Sequence, residues 1–175
     1  MDSSEFLEFL AGRSSVREYD ASELHERDLV FLLDCASTAP SAGNLEAWDV
    51  VLVRDPELRE ALSGAAFGQS HVLSAPALFV LCANYVRSMS RYGERGILYA
   101  VQDATIAGTY LLLAAHALRL VSCWVGAFDE EEVRNIIGLP NHVRPVAIIC
   151  IGKGAQPAEL TGRMPVSEHL HYEEW

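Results

Sequence analysis

The chain has 175 residues, 50% of them hydrophobic and 21% charged, which is one domain's length and too apolar for a disordered chain. Its formal net charge of −11 repels phosphate backbones and argues against nucleic acid as a partner. Lys153 is the only lysine, so arginine supplies the remaining cations, which suits bidentate phosphate contacts and leaves lysine Schiff-base chemistry one poor candidate.

The opening Met1-Asp2-Ser3-Ser4-Glu5 has no basic region followed by an apolar one, so no signal peptide is expected. Ser4–Leu10 reads as a short helix with Phe6, Leu7, Phe9 and Leu10 on one face. Polar Gly12–Asp20 ends it. Ser22 is a candidate N-cap for a second helix running to about Ala39. Pro40–Glu46 is a loop, and Trp48–Val53 is a β-branched run expected as a strand. Asp55 before Pro56 opens a helix over Pro56–Ala65.

Ala77–Ala83 is a second strand, and Asn84–Tyr99 reads as a polar connection. Val101–Leu120 is the longest helical segment, apolar nearly all round, with small residues at Ala104, Ala107, Gly108, Ala114 and Ala115. Ser122–Val125 is a third strand. Asp129 caps a helix to Ile137, with Glu132 spaced for a capping box, and Gly138-Leu139-Pro140 stops it. Pro145–Gly152 is a fourth strand. Strictly apolar runs stop at about six residues, against the ~18 that a membrane span needs, so no membrane partner and a cytoplasmic location are expected. The domain is placed at 1–152. The polar extension 153–175 carries Leu160, Met164, Leu170, Tyr172 and Trp175 and is expected to drape over a surface, that of a partner subunit. Alternating strands and helices argue α/β or α+β, and periodicity alone leaves that choice open.

Cys35, Cys82, Cys123 and Cys150 contain no Cys-x-x-Cys pair and read as buried thiols. His169 and His171 lack a third ligand, so no metal site is expected. The chain has no Gly-x-Ser-x-Gly elbow, no Gly-x-x-x-x-Gly-Lys, no Gly-x-Gly-x-x-Gly and no His-Glu-x-x-His, which weakens hydrolase, NTPase, dinucleotide-fold and zinc-protease readings.

Three polar segments remain. Arg13-Ser14-Ser15-Val16-Arg17 places two guanidiniums and two hydroxyls within five residues, a grip for a phosphate or simply a solvated loop. Ala39-Pro40-Ser41-Ala42-Gly43-Asn44-Leu45-Glu46-Ala47-Trp48 lets backbone approach a flat ligand, or forms an ordinary turn. Cys123-Trp124-Val125-Gly126-Ala127-Phe128-Asp129 ends a strand in small residues before a helix, either to aim N–H groups at a ligand or to turn tightly.

In this order the segments resemble the nitroreductase family of FMN-dependent oxidoreductases. Its pattern includes Arg-(Arg/Ser/His)-Ser-x-(Arg/Lys), Pro-Ser-x-x-Asn-x-Gln-Pro-Trp, Cys-Trp-(Ile/Val)-Gly-(Gly/Ala)-Phe, Gly-Leu-Pro and a late Arg-x-Pro, matched here by Arg163-Met164-Pro165. The likeness spans nearly the whole chain. Two departures stand out. Glu46-Ala47 replaces the usual Gln-Pro, and the short Asn84–Tyr99 connection suggests a reduced lid.

The resemblance implies an α+β nitroreductase-like fold, with a central antiparallel or mixed sheet flanked by helices. It implies a homodimer built on the long central helix, with FMN at the subunit interface. The small residues of Val101–Leu120 fit close helix approach. Carried over, Arg13, Ser14 and Ser15 hold the FMN phosphate and ribityl chain, with Arg163 closing on the phosphate. Arg17 lies near the flavin N1/O2 edge. Pro40, Ser41, Ala42 and Asn44 come from the other subunit. Gly126 and Ala127 direct N–H groups towards N5/O4, and Gln69 is a further polar contact. The implied activity is hydride transfer from NAD(P)H to a small electron-poor acceptor by a ping-pong mechanism, with no catalytic side chain. The alternatives are a specialised flavin enzyme of the same fold, such as a dehalogenase, an enoate-type reductase or a flavin-cleaving enzyme, and a non-catalytic flavin-binding protein.

Overall fold

The computed structural model describes residues 1–157, 159 and 161–175. Leu160 lies outside the described residues. Four strands, β1 (Trp48–Val53), β2 (Ala77–Asn84), β3 (Val121–Val125) and β4 (Val143–Gly152), form one sheet in the order β1-β2-β4-β3. Every pairing between them is antiparallel, which settles the fold as α+β and the sheet as antiparallel rather than mixed.

Both sheet faces are buried, which is why β2 and β4 read as continuous apolar runs. Side chains alternate between the faces. Phe79, Leu81, Ile149 and Ile151 pack with α2 (Glu26–Ser37) and the central helix α6 (Arg95–Ala117). Leu78, Val80, Cys82, Ile148 and Cys150 face the layer of α3 (Pro56–Ala65), α4 (Ser70–Ser74) and α7 (Glu130–Ile137). The cysteines are free thiols; Cys82, Cys123 and Cys150 are buried and Cys35 is half-buried.

The first helix, α1 (Ser3–Gly12), has a full capping box between Asp2 and Glu5 but no buried residue. Phe6 and Leu7 are exposed. The second does not start at Ser22. The chain stays extended to His25, which buries Leu24, and α2 ends at Ser37 because Pro40 disfavours helical backbone at the residue before it. Asp129 caps α7 through Glu131 and Glu132 N–H, but no capping box forms, since the Asp129 N–H donates to Ala65 O at 2.8 Å.

The segment Asn84–Tyr99 is not a loose connection. It holds α5 (Tyr85–Tyr92) and the start of α6. Tyr85, Ser88 and Tyr92 turn inward at helical spacing, while Arg87 and Arg91 occupy the outer face and give the segment its polar look. Gly93 breaks the helix at φ 55°, and Gly96 lets α6 start against α5, where a Cβ would lie 2.6 Å from Met89 N. By length and composition α6 is able to cross a membrane; here its buried face packs on the sheet, α2 and α5. Its small residues Ala104, Ala107, Gly108, Ala114 and Ala115 are on that buried face, so they serve the close approach of the sheet and of helices in the same chain. A Cβ on Gly108 would meet Trp124 at 2.7 Å. The outer face of α6 carries Ile97, Leu98, Gln102, Thr105 and Thr109.

Candidate functional site

The segment after α1 runs beside β3 as a short parallel partner. Ser15 bridges Ser122, Val16 N–H donates to Ser122 O at 2.9 Å, and the Tyr19 hydroxyl donates back to Val16 O at 2.8 Å. Buried Val16 anchors the segment and leaves the flanking side chains outward. They line a cavity of about 250 Å³ with Arg13, Ser14, Ser15, Arg17, Thr161 and Arg163. Arg163 is positioned by its own backbone, donating to Thr161 O at 3.0 Å and Gly162 O at 3.2 Å. Among the described residues neither Arg13 nor Arg17 forms an ion pair. The cavity thus concentrates three guanidiniums and three hydroxyls, a donor set suited to a phosphate and a polyol chain. The C-terminal extension contributes Thr161 and Arg163 to its own chain's cavity, while Met164, Tyr172 and Trp175 stay exposed.

Gly126 and Ala127 follow β3 in an exposed turn. Gln69 is joined to it, its amide nitrogen donating to Ala66 O and to Ala127 O, both at 2.9 Å. Only the Gln69 carbonyl oxygen remains for a ligand, as an acceptor. His71, two residues on, is buried and its Nε2 has no partner among the described residues. Burial lowers its pKa, and the charge of Arg17 lowers it further. Burial raises the Cys123 thiol against the opposing pull of Arg17 and Arg13, so it is a poor nucleophile.

The Pro40–Trp48 loop lies elsewhere. Ala42–Asn44 form a single 3-10 turn, and Gly43, Asn44 and Glu46 all have positive φ, at 60°, 57° and 48°. Asp103, a buried carboxylate on α6, holds this shape. Oδ1 accepts the Ala42 N–H at 2.9 Å and Oδ2 the Ala47 N–H at 3.1 Å. The Ser41 hydroxyl accepts the Glu46 N–H at 3.0 Å. Arg87 donates to Glu46 O, to Trp48 O at 3.0 Å and to Asp49 at 2.9 Å. Asp103 and Arg87 escaped the sequence reading, and only the departure at Ala47 hinted at them. A proline there has no N–H to give Asp103.

The structure therefore gathers Arg13, Ser14, Ser15, Arg17 and Arg163 in one place and ties Gln69 to the Gly126–Ala127 turn. It does not bring Pro40, Ser41, Ala42 and Asn44 to them. The loop is anchored at Asp103, while the cluster adjoins His116, which approaches the Gly12 position to 3.3 Å. On one helix those residues are about 20 Å apart at 1.5 Å per residue.

A family model described as the nitroreductase family matches residues 10–72 and 65–153. A protein of Thermus thermophilus named NADH dehydrogenase is 34% identical over 182 residues, covering 88% of this chain and 89% of that one. FMN reductase (NADPH) of Bacillus subtilis is 25% identical over 173 residues, covering 91% and 68%. Among solved structures, nitroreductase A from Vibrio parahaemolyticus superposes with a TM-score of 0.90 at 25% identity, over 100% of this chain and 78% of that one.

Proposed function

Because the chain belongs to the nitroreductase family, we propose that it is a cytoplasmic, homodimeric, NAD(P)H-dependent FMN oxidoreductase. The observation that carries the reading is the cavity lined by Arg13, Ser14, Ser15, Arg17 and Arg163, whose donors match a phosphate and ribityl chain. FMN, when bound, supplies hydride transfer from NAD(P)H to an electron-poor acceptor such as a nitroaromatic or a quinone, in ping-pong order.

The side chains bind and orient. Arg13, Ser14, Ser15 and Arg163 hold the phosphate end. Arg17 directs positive charge at the N1/O2 edge. The Gln69 carbonyl oxygen accepts from the ring, and the Gly126 and Ala127 N–H groups face N5/O4. Pro40, Ser41, Ala42 and Asn44 reach the ring from the partner subunit, which agrees with their distance from the cluster within one chain. The outer face of α6 around Gln102, Thr105 and Thr109 forms the centre of the dimer, and the extension 153–175 packs on the partner.

The absorbance spectrum of the purified protein, followed by anaerobic titration with NADH and with NADPH, tests the reading. A flavin spectrum bleached by one of them is expected, with a dimer in sedimentation. Protein that fails to take up FMN overturns the reading; FMN bound but bleached by neither nucleotide makes the chain a flavin-binding protein instead.

A further inference from the structure

We propose that Arg91 and Arg95, backed by Tyr92 and Tyr99, form a recognition patch for the phosphate groups of the nicotinamide nucleotide. This deepens the function proposed above and rests on it. The patch spans the joint between α5 and α6. The Tyr92 and Tyr99 rings meet edge to face, with centroids 5.0 Å apart at 89°. The guanidinium of Arg91 lies 5.5 Å from the Tyr92 ring centre, and that of Arg95 lies 5.6 Å from the Tyr99 ring centre. Each arginine is exposed and each tyrosine half-buried, so a fixed ring backs a solvent-facing cation. Attraction to a ring face draws a guanidinium in without using a hydrogen-bond donor, which leaves its free N–H groups for a phosphate.

These two arginines differ from their neighbours. Arg54 is paired with Glu23 and Glu26, Arg87 with Asp49, and Arg144 with Glu130. Neither Arg91 nor Arg95 forms an ion pair among the described residues, although exposed Glu94 sits beside Arg95 in the chain. In a protein of net charge −11, two cations without a carboxylate partner on one tyrosine pair are a local exception that draws an anion.

Their place ties them to the proposed site. Arg91 donates to Gly43 O at 3.3 Å, and the Tyr92 hydroxyl fills the space beside Gly43, where a Cβ would meet it at 2.3 Å. The patch thus abuts the loop whose Ser41, Ala42 and Asn44 are proposed to reach the partner's flavin. A neutral quinone offers these cations nothing, whereas NADH brings a diphosphate and NADPH a further 2′-phosphate. The patch would therefore favour the donor over the acceptor where both use one ring face.

The test uses the FMN-loaded protein with Arg91→Gln, Arg95→Gln and the double variant. The KM for the nicotinamide nucleotide should rise about tenfold in each single variant and further in the double. In Arg95→Gln, which does not touch the loop, the kcat and the KM for a neutral quinone should stay within about twofold. Calorimetric titration with ADP-ribose and with its 2′-phosphate should lose affinity in parallel. A loss confined to NADPH places the 2′-phosphate on the patch, and an equal loss places the diphosphate there. An unchanged nucleotide KM in the double variant overturns the proposal, as does a rise in the quinone KM alone. If the wild type oxidises neither nucleotide, the functional reading fails separately. The titrations then decide the patch, and unchanged affinities overturn it.

Discussion

Between Arg13 and Arg17 the backbone is pinned to β3 through Ser15 and Val16, and the cationic side chains are left uncommitted around a cavity. Between Ala42 and Trp48 the side chains make no hydrogen bond among the described residues, and the backbone is held at Ala42, Gly43, Glu46, Ala47 and Trp48. One region is organised to offer charge and the other to offer shape. A region that offers charge needs only loose positioning, because Coulomb attraction falls off slowly with distance. A surface that approaches a flat ring must hold its backbone in one conformation, including residues with positive φ that cost energy outside glycine.

The largest expected effect breaks the shape side of this contrast. Asp103→Ala leaves the Ala42 and Ala47 N–H groups without their acceptor, at a cost of about 1–3 kcal/mol each. Chemical denaturation should show a loss of about 2–6 kcal/mol, and Asp103→Asn, which keeps one acceptor oxygen, should lose less. A variant as stable as the wild type would mean that Arg87 and Ser41 hold the loop unaided.

The charge side should respond in the opposite way. Arg13→Ala is expected to weaken FMN binding about ten- to a hundredfold, through loss of a charge-assisted hydrogen bond worth about 1.5–3 kcal/mol. The unfolding free energy without FMN should change by less than about 0.5 kcal/mol. Arg54→Ala, which removes an exposed pairing with Glu23 and Glu26, should leave FMN affinity alone. Equal FMN affinity in the two variants, by fluorescence titration, would remove Arg13 from the site.

The smallest effect asks whether that charge is felt beyond the cavity. Burial first and Arg17 second lower the pKa of His71, so the folded chain takes up the proton less readily than the unfolded one. Its contribution to stability is complete above the unfolded value of about 6.5 and is lost as pH falls below it towards the folded value. Denaturation from about pH 7.5 to about 5.5 should show a shallower slope in His71→Gln. The slope should not vanish, because burial and Arg13 shift His116 the same way against a raising hydrogen bond at Phe9. Parallel slopes in the two proteins would mean that His71 is protonated as easily folded as unfolded.

The same contrast explains what could be read in the sequence. Arg13, Ser14, Ser15 and Arg17 are neighbours in the chain, so their grouping is visible before any folding. Asp103 is 61 residues from Ala42 and 56 from Ala47, and nothing local marks a carboxylate on an apolar helix as their acceptor. Strands and strong caps such as Asp55 were legible because their signals are local. The strand order was not, since four apolar runs pair in many ways. The small residues of α6 announced close packing but not its direction, which is set by Trp124 and Ile149 opposite Gly108. Helix α5 was hidden because its inward residues are Tyr85, Ser88 and Tyr92 rather than aliphatic ones.

The bond from Ala47 to Asp103 also makes two distant positions depend on each other. Proline at 47, the residue usual in the resembling family pattern, would strand one carboxylate oxygen inside the protein, and loss of the carboxylate would strand the Ala47 N–H. Neither position can change alone without cost. Residues 47 and 103 are therefore coupled in energy, so that exchanging both together is expected to cost less than the sum of the two single exchanges.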